Sequence, residues 1–296
     1  MGVKLMNDDR EQEQIANPPI GKMIDKETLL LGFIAEMANS SKIPKAFGKY
    51  FDDNGDNGSM VGLNIREDDL LFTLNGMKTS QLRGALIGAE YGKMALRAMD
   101  HITKEAELAG FIDGCVMKEG RLIGHIASMA ALTQIMPVKK YKRVAIWGAG
   151  ALATSLILNL DEKGFDEVVI CVDRVESAME LIEKVSPFVT QLRFDIERVN
   201  KDKISDFSGF DYVVNATPVG LFSHDKALDI EIDSDVTMVD MFYNKPNSPS
   251  LFESFAQAKQ AAYISGFDMI AVAAPIHYSV WYEKDAKKKF MNISRG

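Results

Sequence analysis

Cysteine is scarce in this 296-residue chain: Cys115 and Cys171 are the only two. That excludes a disulfide framework. Cys171 lies in the apolar run Val168-Val169-Ile170-Cys171-Val172, where a thiol serves as a small buried hydrophobe rather than a nucleophile. Long apolar runs are missing too. Nothing approaches the ~18 consecutive apolar residues that a bilayer crossing needs, so no membrane partner is expected. The opening segment, Met1 to Gln14, has no apolar stretch of a secretory signal, and position 6 is Met rather than the Ser or Thr of a myristoylation motif. A cytoplasmic protein is expected. Positive charge is not in excess: the net charge is −8, and the only lysine run, Lys287 to Lys289, is short and reads as solvated. A nucleic-acid partner needs a basic face, so none is expected.

What is present is ordinary globular composition, 47% apolar and 26% charged, in a chain long enough for two domains. From Lys142 onward the pattern is regular. Arg143 to Gly150 is an apolar strand ending in a glycine turn, Ala151 to Gly164 a helix, and Asp166 to Asp173 a second apolar strand, which together make a βαβ unit. The alternation continues through a helix at Val175 to Val185, strands at Val189 to Glu197, Asp211 to Thr217 and Val236 to Tyr243, and a helix at Ser250 to Ala261. The expected fold class is therefore α/β, with a Rossmann domain, a doubly wound parallel sheet, over residues 136–266. Residues 1–135 read as a smaller α/β substrate domain. There, helical patterns appear at Lys26 to Asn39 and Met94 to Leu108, a loop at Asp52 to Met60, and candidate strands at Ser59 to Ile65, Leu82 to Gly88 and Phe111 to Met117. A last helix, from about Asp268 to Asp285, is compatible with packing on either domain.

Gly148-Ala149-Gly150-Ala151-Leu152-Ala153 fits the pattern G-x-G-x-x-A between a strand and a helix. The first Gly makes the tight turn, the second lets the backbone approach a pyrophosphate, and Ala153 allows the helix to lie close to the sheet. The competing reading is a structural glycine turn without ligand. Asp173 ends the next strand, where a carboxylate binds a ribose diol and repels a 2′-phosphate, which favours NAD over NADP. Arg174 keeps NADP open, since a guanidinium pairs with a 2′-phosphate or stacks on adenine. Asp173 is alternatively a cap for the helix starting near Val175.

Three later segments, Asn215-Ala216-Thr217-Pro218-Val219-Gly220, Asp240-Met241-Phe242-Tyr243 and Gly266-Phe267-Asp268-Met269, follow in an order and spacing that, with the glycine loop, resemble the shikimate dehydrogenase family. The resemblance covers residues 84 to 284, and Asn17-Pro18-Pro19-Ile20-Gly21 looks like a distorted copy of that family's N-terminal turn. It implies an N-terminal substrate domain, completed by the C-terminal helix (residues 267–296), facing a Rossmann domain across a cleft. It also implies hydride transfer between NADP, or NAD in some members, and a ring hydroxyl of shikimate or quinate. On the cofactor side, it assigns Gly148, Ala149, Gly150 and Ala151 to the phosphate loop, Asn215, Ala216 and Thr217 to the turn beside the cofactor, and Met241, Gly266 and Met269 to positions near the nicotinamide.

The substrate side departs from the family. The serine pair that holds the substrate carboxylate falls at about Met23 and Asp25, and an acid there would repel it. In Gly120-Arg121-Leu122-Ile123-Gly124-His125-Ile126-Ala127-Ser128 the family's catalytic Asp has become Ser128, and a hydroxyl-binding Gln of the last helix has become Ala273. Tyr243 is kept, Lys93 matches the family lysine, and Asp113 stands where the family has a substrate-binding Asn. A Lys93/Asp113 pair is thus expected to replace the lost dyad, since alcohol oxidation needs a group to take the hydroxyl proton and a neighbouring charge to tune it. Tyr243, Ser128 and His125 are the expected substrate contacts, and His125 and His277 are further acid/base candidates. The plainer reading makes Asp113 a turn residue and Lys93 a solvated one. The expected activity is NAD(P)-dependent oxidoreduction of a small polar hydroxy compound other than shikimate, by a monomer or homodimer that needs no metal. The alternatives are a catalytically inactive nucleotide-binding sensor and a drifted shikimate dehydrogenase.

Overall fold

The computed structural model describes residues 24–199, 205–217, 230–241 and 249–293. Met23, Tyr243, the turn at 17–21 and residues 218–220 lie outside them. The first sheet contains β1 (Leu29–Ala35), β2 (Gly58–Asn64), β3 (Leu82–Ile87), β4 (His101–Ile102), β5 (Gly114–Lys118) and β6 (Arg121–His125), in the order β2-β1-β3-β5-β6-β4. β1 runs parallel to β2 and β3, whereas β5 is antiparallel to both β3 and β6. Around it lie α1 (Ile43–Asn54), α2 (Leu70–Met77), α3 (Gly92–Ala95), α4 (Lys104–Ala109) and α5 (Ser128–Leu132).

Of the loop expected at Asp52 to Met60, only residues 55–57 lie between α1 and β2. Two helix expectations also fail here for identifiable reasons. The segment Lys26 to Asn39 carries a strand, not a helix. Leu-Leu-Leu-Gly-Phe-Ile-Ala is buried from Leu31 onward, and an apolar run covered on both faces has no period to separate the two states. The stretch Met94 to Leu108 is broken by the edge strand β4. Its helix α4 starts only at Thr103, whose Oγ1 accepts from the Ala106 N–H at 3.3 Å, and stops at left-handed Gly110.

The second sheet contains β7 (Arg143–Trp147), β8 (Glu167–Val172), β9 (Arg193–Arg198), β11 (Tyr212–Asn215), β13 (Thr237–Asp240) and β14 (Ala262–Ile264); the short strands β10 (Ser205–Asp206) and β12 (Ile230–Glu231) pair separately. All neighbours are parallel, and the order β9-β8-β7-β11-β13-β14 is that of a Rossmann sheet, with the strand order reversing between β7 and β11. Helices α6 (Ala151–Lys163), α7 (Val175–Val185) and α8 (Leu251–Lys259) connect it.

The last helix, α9 (Gly266–Tyr282), starts with a capping box between Ser265 and Asp268 and returns the chain to the first sheet. Its Ile270, Ala274, Tyr278 and Trp281 join Leu31, Phe33, Phe47 and Phe51 in one buried cluster. The Trp281 indole N–H donates to the Cys115 carbonyl at 3.0 Å. Among the described residues no helix is long and apolar enough to cross a membrane.

Candidate active site

The reversal point of the second sheet opens a groove of about 490 Å³ lined by Gly148, Ala149, Asp173, Asn215 and Thr217 among others. Gly148 turns the chain out of β7 at φ +100°, and a Cβ there would lie 2.6 Å from Thr217 Cγ2. Conformation and space therefore both demand glycine. Gly150 occupies the N-cap of the 13-residue α6, and a Cβ at that position would meet nothing within 4 Å, so room is left above the first-turn N–H groups of Ala151 and its successors. That space suits a pyrophosphate. The opposite wall is held by Asn215: its Oδ1 accepts from Thr217 N and Oγ1 at 3.1 and 2.7 Å, and its Nδ2 donates to Asp240 Oδ1 at 2.9 Å. Ala216 lies between these two anchors. Asp240 also accepts from Tyr263 at 2.8 Å, and burial pushes its pKa up.

Asp173 is not the cap of α7. Arg174 holds that position, with extended backbone and an exposed guanidinium that donates to Ser177 Oγ at 3.1 Å. The Asp173 carboxylate is thus left to the groove, beyond the end of β8, where a ribose diol would lie.

Toward the first sheet lies a narrow pocket with about 50 Å³ of free space, walled by Phe33, Ile43, Phe111, Leu152, Met241 and Met269 together with other apolar residues. Among the described residues its polar side chains are Asp113, Ser128 and His277. Asp113 immediately precedes β5 and is only 6% exposed. Its carboxylate accepts from Ala127 N (2.9 Å), Ser128 N (2.8 Å) and Ser128 Oγ, all at the start of α5. His277 Nε2 is 3.8 Å from Asp113 Oδ1, and His277 Nδ1 is 2.9 Å from His125 Nε2. The His277 ring stacks on Trp281 at 5.3 Å between centroids. Gly114 makes the imidazole pair possible, because a Cβ there would stand 2.6 Å from His125 Nε2 and 2.8 Å from His277 Nδ1.

Burial sets the charge of this cluster. It raises the Asp113 pKa above the usual carboxylate range, against the lowering by His125 and the Ser128 hydrogen bonds. It lowers both histidines to about 3, so near neutral pH both imidazoles are uncharged and one nitrogen of the contacting pair donates while the other accepts. His125 Nδ1, on the far side of the imidazole pair, is buried without a hydrogen-bond partner. One ligand atom from each of Asp113, His125 and His277 fits within 4.8 Å, a spacing that admits a metal ion. The contacts present are a hydrogen-bonded imidazole pair, with two nitrogens at 2.9 Å, beside a carboxylate engaged by three other donors and 3.8 Å from His277.

Several expected roles change. Lys93, in α3, is exposed and forms no ion pair with Asp113; the latter's side chain is turned instead into the start of α5. His125 stands behind His277 rather than on the pocket wall, while Ser128 does line the pocket. Asp25 is away from this pocket: its Oδ1 accepts from Glu27 N (3.0 Å), Thr28 Oγ1 (2.9 Å) and Asn57 Nδ2 (3.1 Å) in an exposed turn, so repulsion of a substrate carboxylate does not originate there. Met241 and Met269 line the pocket, and Gly266 opens α9. His277 deserved more weight from sequence, because it lies one helical turn after Ala273 and so shares its face of α9.

A Rossmann sheet whose glycine loop and Asn215 turn flank a groove lies next to a pocket with a buried acid and neutral imidazoles. In both sequence and fold the chain is similar to shikimate dehydrogenases. It is 24% identical over 270 residues to the shikimate dehydrogenase (NADP+) of Methanocaldococcus jannaschii, covering 88% of this chain and 93% of the relative. A Streptococcus suis shikimate dehydrogenase (NADP+) is 25% identical over 271 residues, 87% and 92% of the two chains. Among solved structures, a shikimate dehydrogenase in complex with NADP+ superposes with a TM-score of 0.74 at 22% identity, covering 91% of this chain and 95% of the other. The ligand-free 5-ketofructose reductase of Gluconobacter sp. strain CHM43 gives 0.71 at 21% identity, over 89% and 96%. No protein-family model matches the chain.

Proposed function

We propose that the protein is an NAD(P)-dependent oxidoreductase of the shikimate dehydrogenase type, preferring NAD(H) and acting on a hydroxy or keto compound other than shikimate. The observation that carries this reading is the Asp113 cluster, a buried proton-handling group facing the pocket beside the dinucleotide groove. The groove fits a dinucleotide: Gly150 leaves space over the start of α6, and Asp173 faces the position of the adenosine ribose. A nicotinamide dinucleotide bound there supplies or accepts the hydride.

The chain's own contribution is the proton. Asp113 accepts it from the substrate hydroxyl during oxidation and returns it to the carbonyl oxygen during reduction, and burial raises its pKa in the direction that favours taking up the proton. Ser128 and the Ala127 and Ser128 amides fix the carboxylate in one orientation. His277, at 3.8 Å, borders the same space, and His125 positions it from behind. Lys93 has no part in this scheme.

Against shikimate stand the replacement of the family's acid by Ser128 and of its hydroxyl-binding Gln by Ala273, which leave polar substrate groups without partners. The relation in fold to a 5-ketofructose reductase supports a different substrate on this scaffold. The test is calorimetric titration with NADH and NADPH, followed by a spectrophotometric screen of ketones with the dinucleotide that binds. Tight dinucleotide binding with no turnover of any ketone would instead favour the inactive sensor.

A further inference from the structure

Resting on the oxidoreductase reading, we infer that the pocket selects an uncharged carbonyl or alcohol carried on a compact apolar group, not a hydroxy acid. Among the described residues, polarity in the pocket is confined to one end. Asp113, Ser128 and His277 cluster together, whereas Phe33 of β1, Ile43 at the start of α1, and Ile270 and Ala273 of α9 supply apolar wall. A ligand with one oxygen at the Asp113 end satisfies these groups and buries its remainder against hydrocarbon. A second polar substituent meets that wall and loses its hydrogen bonds to water without replacement.

Charge argues the same way. No Lys or Arg lines the pocket among the described residues, and the one imidazole on its wall, His277, is held neutral by burial. The ionisable group facing the ligand is a carboxyl. In its charged form it repels an anion across a low-dielectric space, and in its neutral form it offers no countercharge. The apolar side chains that narrow the pocket confine the apolar part to a compact group. Ala273 removes polarity from the face of α9 that meets the ligand, leaving His277, one turn further on, as that face's polar contact.

The test is a matched pair of ketones, cyclohexanone and 4-oxocyclohexane-1-carboxylate, offered to the full-length protein with NADH. Binding of cyclohexanol and of 4-hydroxycyclohexane-1-carboxylate is followed in parallel by ligand-observed NMR. The expected result is at least a hundredfold higher kcat/KM for cyclohexanone, and cyclohexanol binding that weakens severalfold in Ala273→Gln. Asp113→Asn, read by binding alone, should narrow the discrimination against the carboxylate. Equal or better use of the carboxylate, or failure of both alcohols to bind, overturns the inference. Failure of NADH itself to bind overturns the oxidoreductase reading instead.

Discussion

Two imidazoles buried without charge make stability depend on acidity in a calculable way. An unfolded histidine titrates near 6.5, whereas burial holds His125 and His277 at about 3 in the folded protein. Between those values the unfolded chain binds more protons, so the stability present above pH 6.5 is lost as pH falls toward 3. Each histidine costs about 1.4 kcal/mol per pH unit in the steep part of the window, or about 2 kcal/mol between pH 6.5 and 4.5. Two of them remove about 4 to 5 kcal/mol, a large share of a typical folding free energy. Asp113 opposes this trend, because its raised pKa makes the folded state take up a proton first as pH falls. A difference measurement isolates one histidine. His125→Gln keeps a nitrogen donor near the position of Nε2 toward His277 but cannot titrate. Urea unfolding followed by circular dichroism at pH 6.5 and 4.5 should show wild type losing about 2 kcal/mol more than the variant. Parallel pH profiles would refute neutral burial of the pair.

Three further outcomes follow from the same geometry. Asp173→Ala should weaken NADH binding and narrow or reverse its advantage over NADPH in calorimetry, whereas a wild-type preference for NADPH would contradict the assigned role. Gly148→Ala should lower both the midpoint of thermal unfolding and dinucleotide affinity, because it combines a strained φ, costing about 1–3 kcal/mol, with a 2.6 Å approach to Thr217. Shikimate should be a negligible substrate with either dinucleotide in steady-state assays, and Ser128→Asp should recover little, since it places a second acid against Asp113 and restores no carboxylate site.

The Rossmann half was legible because its signals are local. A strand, a glycine turn and a helix follow one another from Arg143 to Gly164, and the chemistry of Gly148 and Asp173 depends on position within that unit. The first domain was less so. β1 is an apolar run covered on both faces, which periodicity cannot separate from a helix. Asp113 was recognisable as an acid in a family substrate position, but its partners were not. Its carboxylate is claimed by the start of α5, and the His125–His277 contact joins residues 152 positions apart, which only packing of α9 on the first sheet brings together. Lys93 attracted the pairing because it matches the lysine of the family that the chain resembles. Its exposed place in α3 leaves no buried contact to reward the pair.

The most direct test of the account compares Asp113→Asn with Lys93→Ala on the best ketone from the screen, with NADH affinity measured for both. The account predicts that Asp113→Asn lowers kcat by about 10² to 10⁴ with dinucleotide affinity nearly unchanged, while Lys93→Ala stays within a fewfold of wild type. Loss of turnover in Lys93→Ala with activity kept in Asp113→Asn would contradict it.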